Sequence, residues 1–135
     1  MVSLAAGVTA EGKGRDDLLD SVREARGYVL PLHSVLAEED PEVLAGYERM
    51  MRALYHSGRR LDAKTKELVY VAVLVALGAA EEHLRAHMER AQREGADPQD
   101  VLEALELIIP AAGVARASVG FDIWRRTFRA EPPAG

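Results

Sequence analysis

The hydrophobic and polar positions of the chain repeat with the period of α-helices. Apolar residues recur three and four positions apart in most segments, and no stretch alternates apolar and polar residues as a half-buried strand does. Aspartate and proline stand before several of these segments and glycine after others, as at the ends of helices. The pattern predicts an all-α fold of six to seven helices joined by short loops.

Start and stop residues set the bounds of the predicted helices. Asp40, Asp62 and Asp97 are the expected N-caps. Pro41 and Pro98 follow two of them, at the first helical position that proline favours. We expect helices over about residues 16–27, 31–37, 41–57, 62–77, 80–94, 98–109 and 114–129, with Pro110 and Gly113 as breaks before the last.

The length of the chain, 135 residues, is that of one domain, and we expect a single domain with flexible segments at 1–14 and 130–135. The absence of cysteine excludes disulfides, thiolate metal sites and thiol peroxidase chemistry. A net charge of −5 with interspersed signs predicts neither a nucleic-acid nor a membrane partner. The N-terminus lacks the pattern of a signal peptide, so a cytoplasmic location is the default.

One predicted helix, 62–77, is apolar on all sides after Glu67. The run 68–77 is about half the length of a membrane span, which favours a buried core helix. A helix that is apolar all round needs neighbours on every side. Because one small domain covers such a helix with difficulty, we expect other subunits to supply part of the cover.

Two histidines and two carboxylates follow this helix in the decapeptide GAAEEHLRAH, residues 78–87. On a helical wheel with Leu84 at the centre of the buried stripe, His87 lies about 60° and His83 about 100° to one side, and Glu81 about 60° to the other. Three interpretations stay open. The histidines form an acid–base site at a cleft, they are ordinary boundary residues, or they bind a metal through the His-x-x-x-His spacing. The zincin pattern is absent.

Glu67 has two interpretations of its own. A carboxylate near the start of a helix is favourable beside the N-terminal dipole. If the helix is buried from its first turn, desolvation instead disfavours the charged form, and Glu67 becomes a candidate proton carrier.

Three segments together resemble the carboxymuconolactone decarboxylase family, which includes alkyl hydroperoxidase D. They are KELV at the start of the apolar helix, the acidic and histidine-containing segment after Gly78, and GADPQDVLEALELIIPAAGV. The likeness extends over about residues 20–128. It implies an all-α fold that assembles into trimers or hexamers, with sites near the subunit interfaces.

The peroxidase branch of that family carries a glutamate and then Cys-x-x-Cys-x-x-x-His. Aligned on His87, the cysteine positions are Ala80 and His83, so peroxidase activity is not expected. Aligned on Glu67, they are Ala79 and Glu82, because this chain has one more residue between Glu67 and His87.

The decarboxylase branch lacks the cysteines, and its cofactor-free reaction removes CO2 from a carboxylated lactone. The resemblance therefore implies a proton-transfer enzyme acting on a small carboxylated substrate without a cofactor. His87 would be the acid–base, His83 a second donor, and Glu67 a carboxylate that orients one of them. The alternatives are a non-catalytic oligomeric member of the family and a metal-binding oligomer that uses His83 and His87.

Overall fold

The computed structural model describes residues 14–55 and 58–129, and within these ranges it contains eight α-helices and no strand. The prediction of an all-α fold is confirmed. Of the described helices, none has both the length and the apolar surface needed to cross a membrane. Apart from Gly14, the segments predicted to be flexible lie outside the described residues.

The chain divides into two compact units, Met1–Ser57 and Gly58–Gly135. The described part of the first unit contains three helices, α1 (Arg15–Arg26), α2 (Pro31–Glu39) and α3 (Pro41–Tyr55). The Asp40 carboxylate accepts a bond from the Val43 N–H at 3.3 Å, as expected of a residue that precedes a helix. Apolar side chains from all three helices form its core, among them Leu18, Ala37 and Leu44.

The second unit contains α4 (Ala63–Leu77), α5 (Glu81–Arg93), α6 (Pro98–Glu106), α7 (Ile108–Ala112) and α8 (Val114–Phe128). The predicted caps are present: the Asp62 carboxylate accepts the Thr65 N–H at 2.7 Å, and Asp97 accepts the Asp100 N–H at 2.9 Å. Gly78 ends α4 with a φ of 74°, a conformation that glycine adopts without strain. The short connection that follows turns the chain into α5.

One predicted helix is wrong in its extent. The segment 98–109 does not form a single helix, because α6 ends at Glu106 and α7 begins at Ile108. Pro110, predicted to be a break, is the third residue of α7. The first turn of a helix tolerates proline, since the N–H groups there have no intrahelical acceptor.

The apolar helix α4 is buried on one side and exposed on another. Val71 and Val75 lie in the core of the second unit with residues of α5, α6 and α8. Val69, Val73 and Leu77 are 52%, 46% and 75% exposed. Their spacing of four residues places them on one face. This exposed face is the part of α4 for which we expect cover from another subunit.

Candidate active site

The centre of the candidate site is a buried contact between α4 and α5. Glu67 lies in the second turn of α4 and His87 in the middle of α5, and they are 1% and 2% exposed. The Nδ1 atom of His87 is 2.7 Å from Oε2 of Glu67. Because the two helices pack against each other, residues 20 positions apart in the chain meet in the core of the second unit.

This contact fixes which ring nitrogen of His87 carries a proton. A carboxylate only accepts hydrogen bonds, so Nδ1 of His87 must be the N–H that donates to Glu67. In the neutral ring, Nε2 is then the basic nitrogen, and in the protonated ring it carries the second proton. Of the two ring nitrogens, Nε2 is therefore the one whose protonation changes between the neutral and the charged ring.

A third charged residue, Arg90, completes the cluster. Its Nε lies 3.0 Å from Oε1 of Glu67, and its side chain is 12% exposed. The guanidinium supplies the positive charge that a buried carboxylate requires. The sequence analysis missed Arg90, although the spacing of His83, His87 and Arg90 (i, i+4, i+7) places all three along one edge of α5.

Two more rings surround His87. The Tyr70 ring, from the turn of α4 after Glu67, is 4.5 Å from the His87 ring between centroids. The His83 ring is 5.1 Å from His87 and 6.3 Å from Tyr70. His83 is half-buried, so it connects the buried imidazole of His87 with the protein surface. The sequence analysis also missed Tyr70. Its spacing of three residues from Glu67, which places both side chains on one face of α4, was the observation that could have identified it.

The remaining polar residues of the decapeptide lie away from this cluster. Glu81 bonds to Arg85 of its own helix at 3.0 Å and to Arg126 of α8 at 3.0 Å. Glu82 is exposed, as the helical wheel predicts. The structure thus brings together Glu67, His83 and His87 and leaves the acidic residues of the decapeptide at the surface.

The position of His87 on the helical wheel, beside the buried stripe, predicts a side chain at the edge of the packing, and this prediction is wrong. The side chain is 2% exposed, because α4 covers the edge of the stripe at which the helical wheel places His87. A wheel describes one helix and does not include its neighbour. As for a metal, no group of three or more histidine, aspartate or glutamate residues in 14–55 and 58–129 is arranged to hold an ion.

The first unit contains a second buried charged cluster that the sequence analysis did not predict. Arg26, His33 and Glu48 come from its three helices and are 7%, 0% and 6% exposed. An Arg26 nitrogen is 2.9 Å from Oε1 of Glu48. Burial alone would lower the pKa of Arg26, but the charge of Glu48 and the Tyr47 hydroxyl outweigh it and raise that pKa above its ordinary value.

The histidine of this second cluster has the opposite proton arrangement. The Leu30 N–H donates to Nδ1 of His33 at 2.9 Å, so Nδ1 is an acceptor and the proton of the neutral ring lies on Nε2. That nitrogen faces the Glu48 carboxylate at 3.8 Å. Protonation of Nδ1 would break the bond to the backbone, so His33 has a structural role at the start of α2.

Comparison with known proteins gives one match. A family model described as the Carboxymuconolactone decarboxylase family matches residues 41–126, which is more than half of the chain and includes Glu67, Tyr70, His83, His87 and Arg90. Neither the curated proteins nor the solved structures provide a match.

Proposed function

Because the chain belongs to the carboxymuconolactone decarboxylase family, we propose that it is a cofactor-free enzyme that decarboxylates a small carboxylated substrate by proton transfer. The observation that carries this proposal is the buried bond of 2.7 Å between His87 and Glu67. It holds the imidazole in one orientation and directs its exchangeable proton to Nε2. With no cysteine in the chain, thiol peroxidase chemistry is not part of the proposal.

The proposed reaction needs one proton and no redox step. The bond between the substrate carbon and its carboxylate breaks, CO2 leaves, and the electron pair remains on the substrate as an enolate. The Nε2–H of protonated His87 then donates to that carbon, and the imidazole regains a proton from solvent through half-buried His83. The Glu67 carboxylate stabilises the imidazolium that acts as the acid.

Arg90 has a positioning role in this proposal. It holds the second oxygen of Glu67 at 3.0 Å, so that the carboxylate keeps one oxygen aimed at Nδ1 of His87. The three side chains carry no net charge when His87 is neutral and one positive charge when it is protonated. The protonated state is therefore the one that suits an anionic substrate.

A second candidate function is that of a non-catalytic family member, and the burial of His87 favours it. With 2% of the side chain exposed, Nε2 meets a substrate only after side chains that surround the ring move. The buried cluster would then serve stability alone. The two candidates differ in whether the Nε2 atom has any effect on a reaction.

The test is an assay of CO2 release and deuterium incorporation from D2O into carboxylated γ-lactones. The variant His87→Asn keeps an N–H for Glu67 but removes Nε2, and we expect it to lower the rate by about 10²–10⁴. The matched control, Glu82→Gln on the exposed side of α5, should retain the activity. A rate unaffected by His87→Asn, or folded wild type that releases no CO2 from any of these lactones, would favour the non-catalytic candidate.

A further inference from the structure

A concave surface of the second unit lies between α6 and α8. It is an open groove of about 550 Å³, lined by Leu102 of α6 and by Phe121, Asp122, Trp124, Arg125 and Arg129 of the last helix and the residue after it. This volume is within the range of small-molecule sites. None of the lining residues belongs to the cluster around Glu67, so the groove is independent of the proposed function.

The aromatic floor of the groove is held in place. The indole N–H of Trp124 donates to the carbonyl of Pro98 at 2.7 Å, which satisfies its polar edge inside the protein. Phe128 packs against the same indole with ring centroids 6.0 Å apart. Trp124 and Phe121 nevertheless remain partly exposed. A fixed aromatic surface of this kind binds a flat apolar group without first having to be ordered.

The charges of the groove are positive although the whole chain carries a net charge of −5. Its lining contains two arginines and one carboxylate, Asp122. That carboxylate already accepts bonds from Arg125, at 2.8 Å, and from Arg126. Arg129 lies over the Trp124 ring, 4.9 Å from its centroid, and its Nη1 donates to the Phe128 carbonyl at 3.2 Å.

We propose that this groove binds a small planar organic anion. The flat body of the ligand lies on the ring of Phe121 and on the part of the Trp124 indole that Arg129 leaves exposed, and its carboxylate binds the guanidinium of Arg129. An arginine stacked on an aromatic ring keeps its edge available for a carboxylate. An inorganic anion would leave the apolar floor unused, and an uncharged aromatic compound would leave Arg129 unused, so the groove fits a ligand that has both parts.

Trp124 is the only tryptophan of the chain, so its indole N–H gives one signal in a ¹H–¹⁵N NMR spectrum that reports on the groove. The probe is 2-naphthoate, and the uncharged control is 2-naphthamide. We expect a saturable shift of the indole signal with naphthoate and binding at least about tenfold weaker with the amide, as for the loss of one charged hydrogen bond.

Two variants test the individual contacts. Arg129→Gln should weaken naphthoate binding by about tenfold. The matched control is Arg93→Gln, an exposed arginine of α5 outside the groove, and it should leave the affinity unchanged. Phe121→Leu, which keeps an apolar residue but removes the ring, should weaken both probes.

Three results would overturn the proposal. The first is the absence of a saturable shift at about 10 mM naphthoate, a concentration at which even a weak ligand would bind. The second is equal affinity of the wild type for naphthoate and naphthamide. The third is equal affinity of wild type and Arg129→Gln for naphthoate. Since Arg129 is exposed and follows the last residue of α8, we expect Arg129→Gln to fold, and a far-UV circular dichroism spectrum and a urea unfolding midpoint like those of wild type verify it.

Discussion

Replacement of Glu67 by glutamine removes one buried negative charge and keeps the size of the side chain. In the wild type, one oxygen of Glu67 is 2.7 Å from His87 and the other is 3.0 Å from Arg90. The substitution leaves the guanidinium of Arg90 without its carboxylate and leaves His87 with an amide in place of a charged acceptor. We therefore expect Glu67→Gln to destabilise the second unit.

The burial of the three side chains sets the magnitude. Glu67, His87 and Arg90 have 1%, 3% and 12% of their side-chain surface exposed, so water compensates little of the lost charge. Breaking a buried ion pair by removal of one partner costs about 3–5 kcal/mol. Because the glutamine oxygen can still accept from His87 and Arg90 reaches some solvent, we expect the lower end, about 3 kcal/mol.

Urea unfolding followed by tryptophan fluorescence is the appropriate assay, because Trp124, the only tryptophan, lies in the same unit as Glu67. Wild type and variant are compared at one protein concentration, so that assembly does not contribute to the difference. The control is Glu82→Gln on the exposed side of α5, which should change the unfolding free energy by less than about 0.5 kcal/mol.

The double variant Glu67→Gln/Arg90→Met separates the ion pair from the packing. If the cost comes from an unpaired guanidinium, the double variant is more stable than the sum of the two single changes predicts, by about 1–3 kcal/mol. Equal losses of unfolding free energy in Glu67→Gln and Glu82→Gln would contradict this prediction, since the charge of Glu67 would then contribute no more to stability than that of an exposed glutamate.

Three further predictions concern the caps and the surface. Hydrogen bonds from Thr65 hold the pKa of Asp62 below its ordinary value. The stability that this carboxylate adds is therefore fully present above the pKa of the unfolded chain, about 3.9, and is lost as the pH falls through the pKa of the folded protein. Asp62→Ala should therefore lower Tm at pH 7 but no longer at a pH below the folded pKa, and a difference that persists there would contradict this. Gly78→Ala should cost about 1–2 kcal/mol in urea unfolding, because φ is 74° there and a residue with a Cβ adopts this left-handed conformation only with strain. An unchanged unfolding free energy would exclude that strain. We also expect wild type to sediment as a trimer or hexamer and Val73→Asp, on the exposed face of α4, to sediment as a monomer of 14.7 kDa; a wild type that is monomeric at micromolar concentration would contradict this.

Local chemistry in the sequence was sufficient to predict most of the helices. Asp62 and Asp97 begin α4 and α6 where capping aspartates are expected, and Gly78 ends α4. The division between α6 and α7 could not be predicted in the same way. Pro110 is compatible either with the end of one helix or with the first turn of the next, and packing of the whole unit decides between them.

The site was predictable in part. The resemblance singled out Glu67 and His87, and the helical wheel placed His83 beside His87. The contact between Glu67 and His87 depends on how α4 packs on α5, which neither helix encodes alone. Arg90 could have been predicted from the sequence, because its spacing from His83 and His87 places it on the same edge of α5.

The cluster of Arg26, His33 and Glu48 was not predictable from spacing. Its three members lie on three different helices, and no pattern in the sequence connects them. His33 carries its proton on Nε2, the opposite of His87, because the backbone N–H of Leu30 donates to its Nδ1. That contact is visible only in the folded unit.

We propose that Glu67 holds His87 with its proton on Nδ1, so that any proton exchange with a substrate takes place at Nε2. Long-range ¹H–¹⁵N NMR of the imidazole nitrogens at a pH where both rings are neutral tests it directly, with His33 as an internal reference of the opposite tautomer. We expect the Nδ1–H form of His87 in the wild type and a shift toward the Nε2–H form in Glu67→Leu. An Nε2–H form of His87 in the wild type, or a tautomer that does not respond to Glu67→Leu, would contradict it.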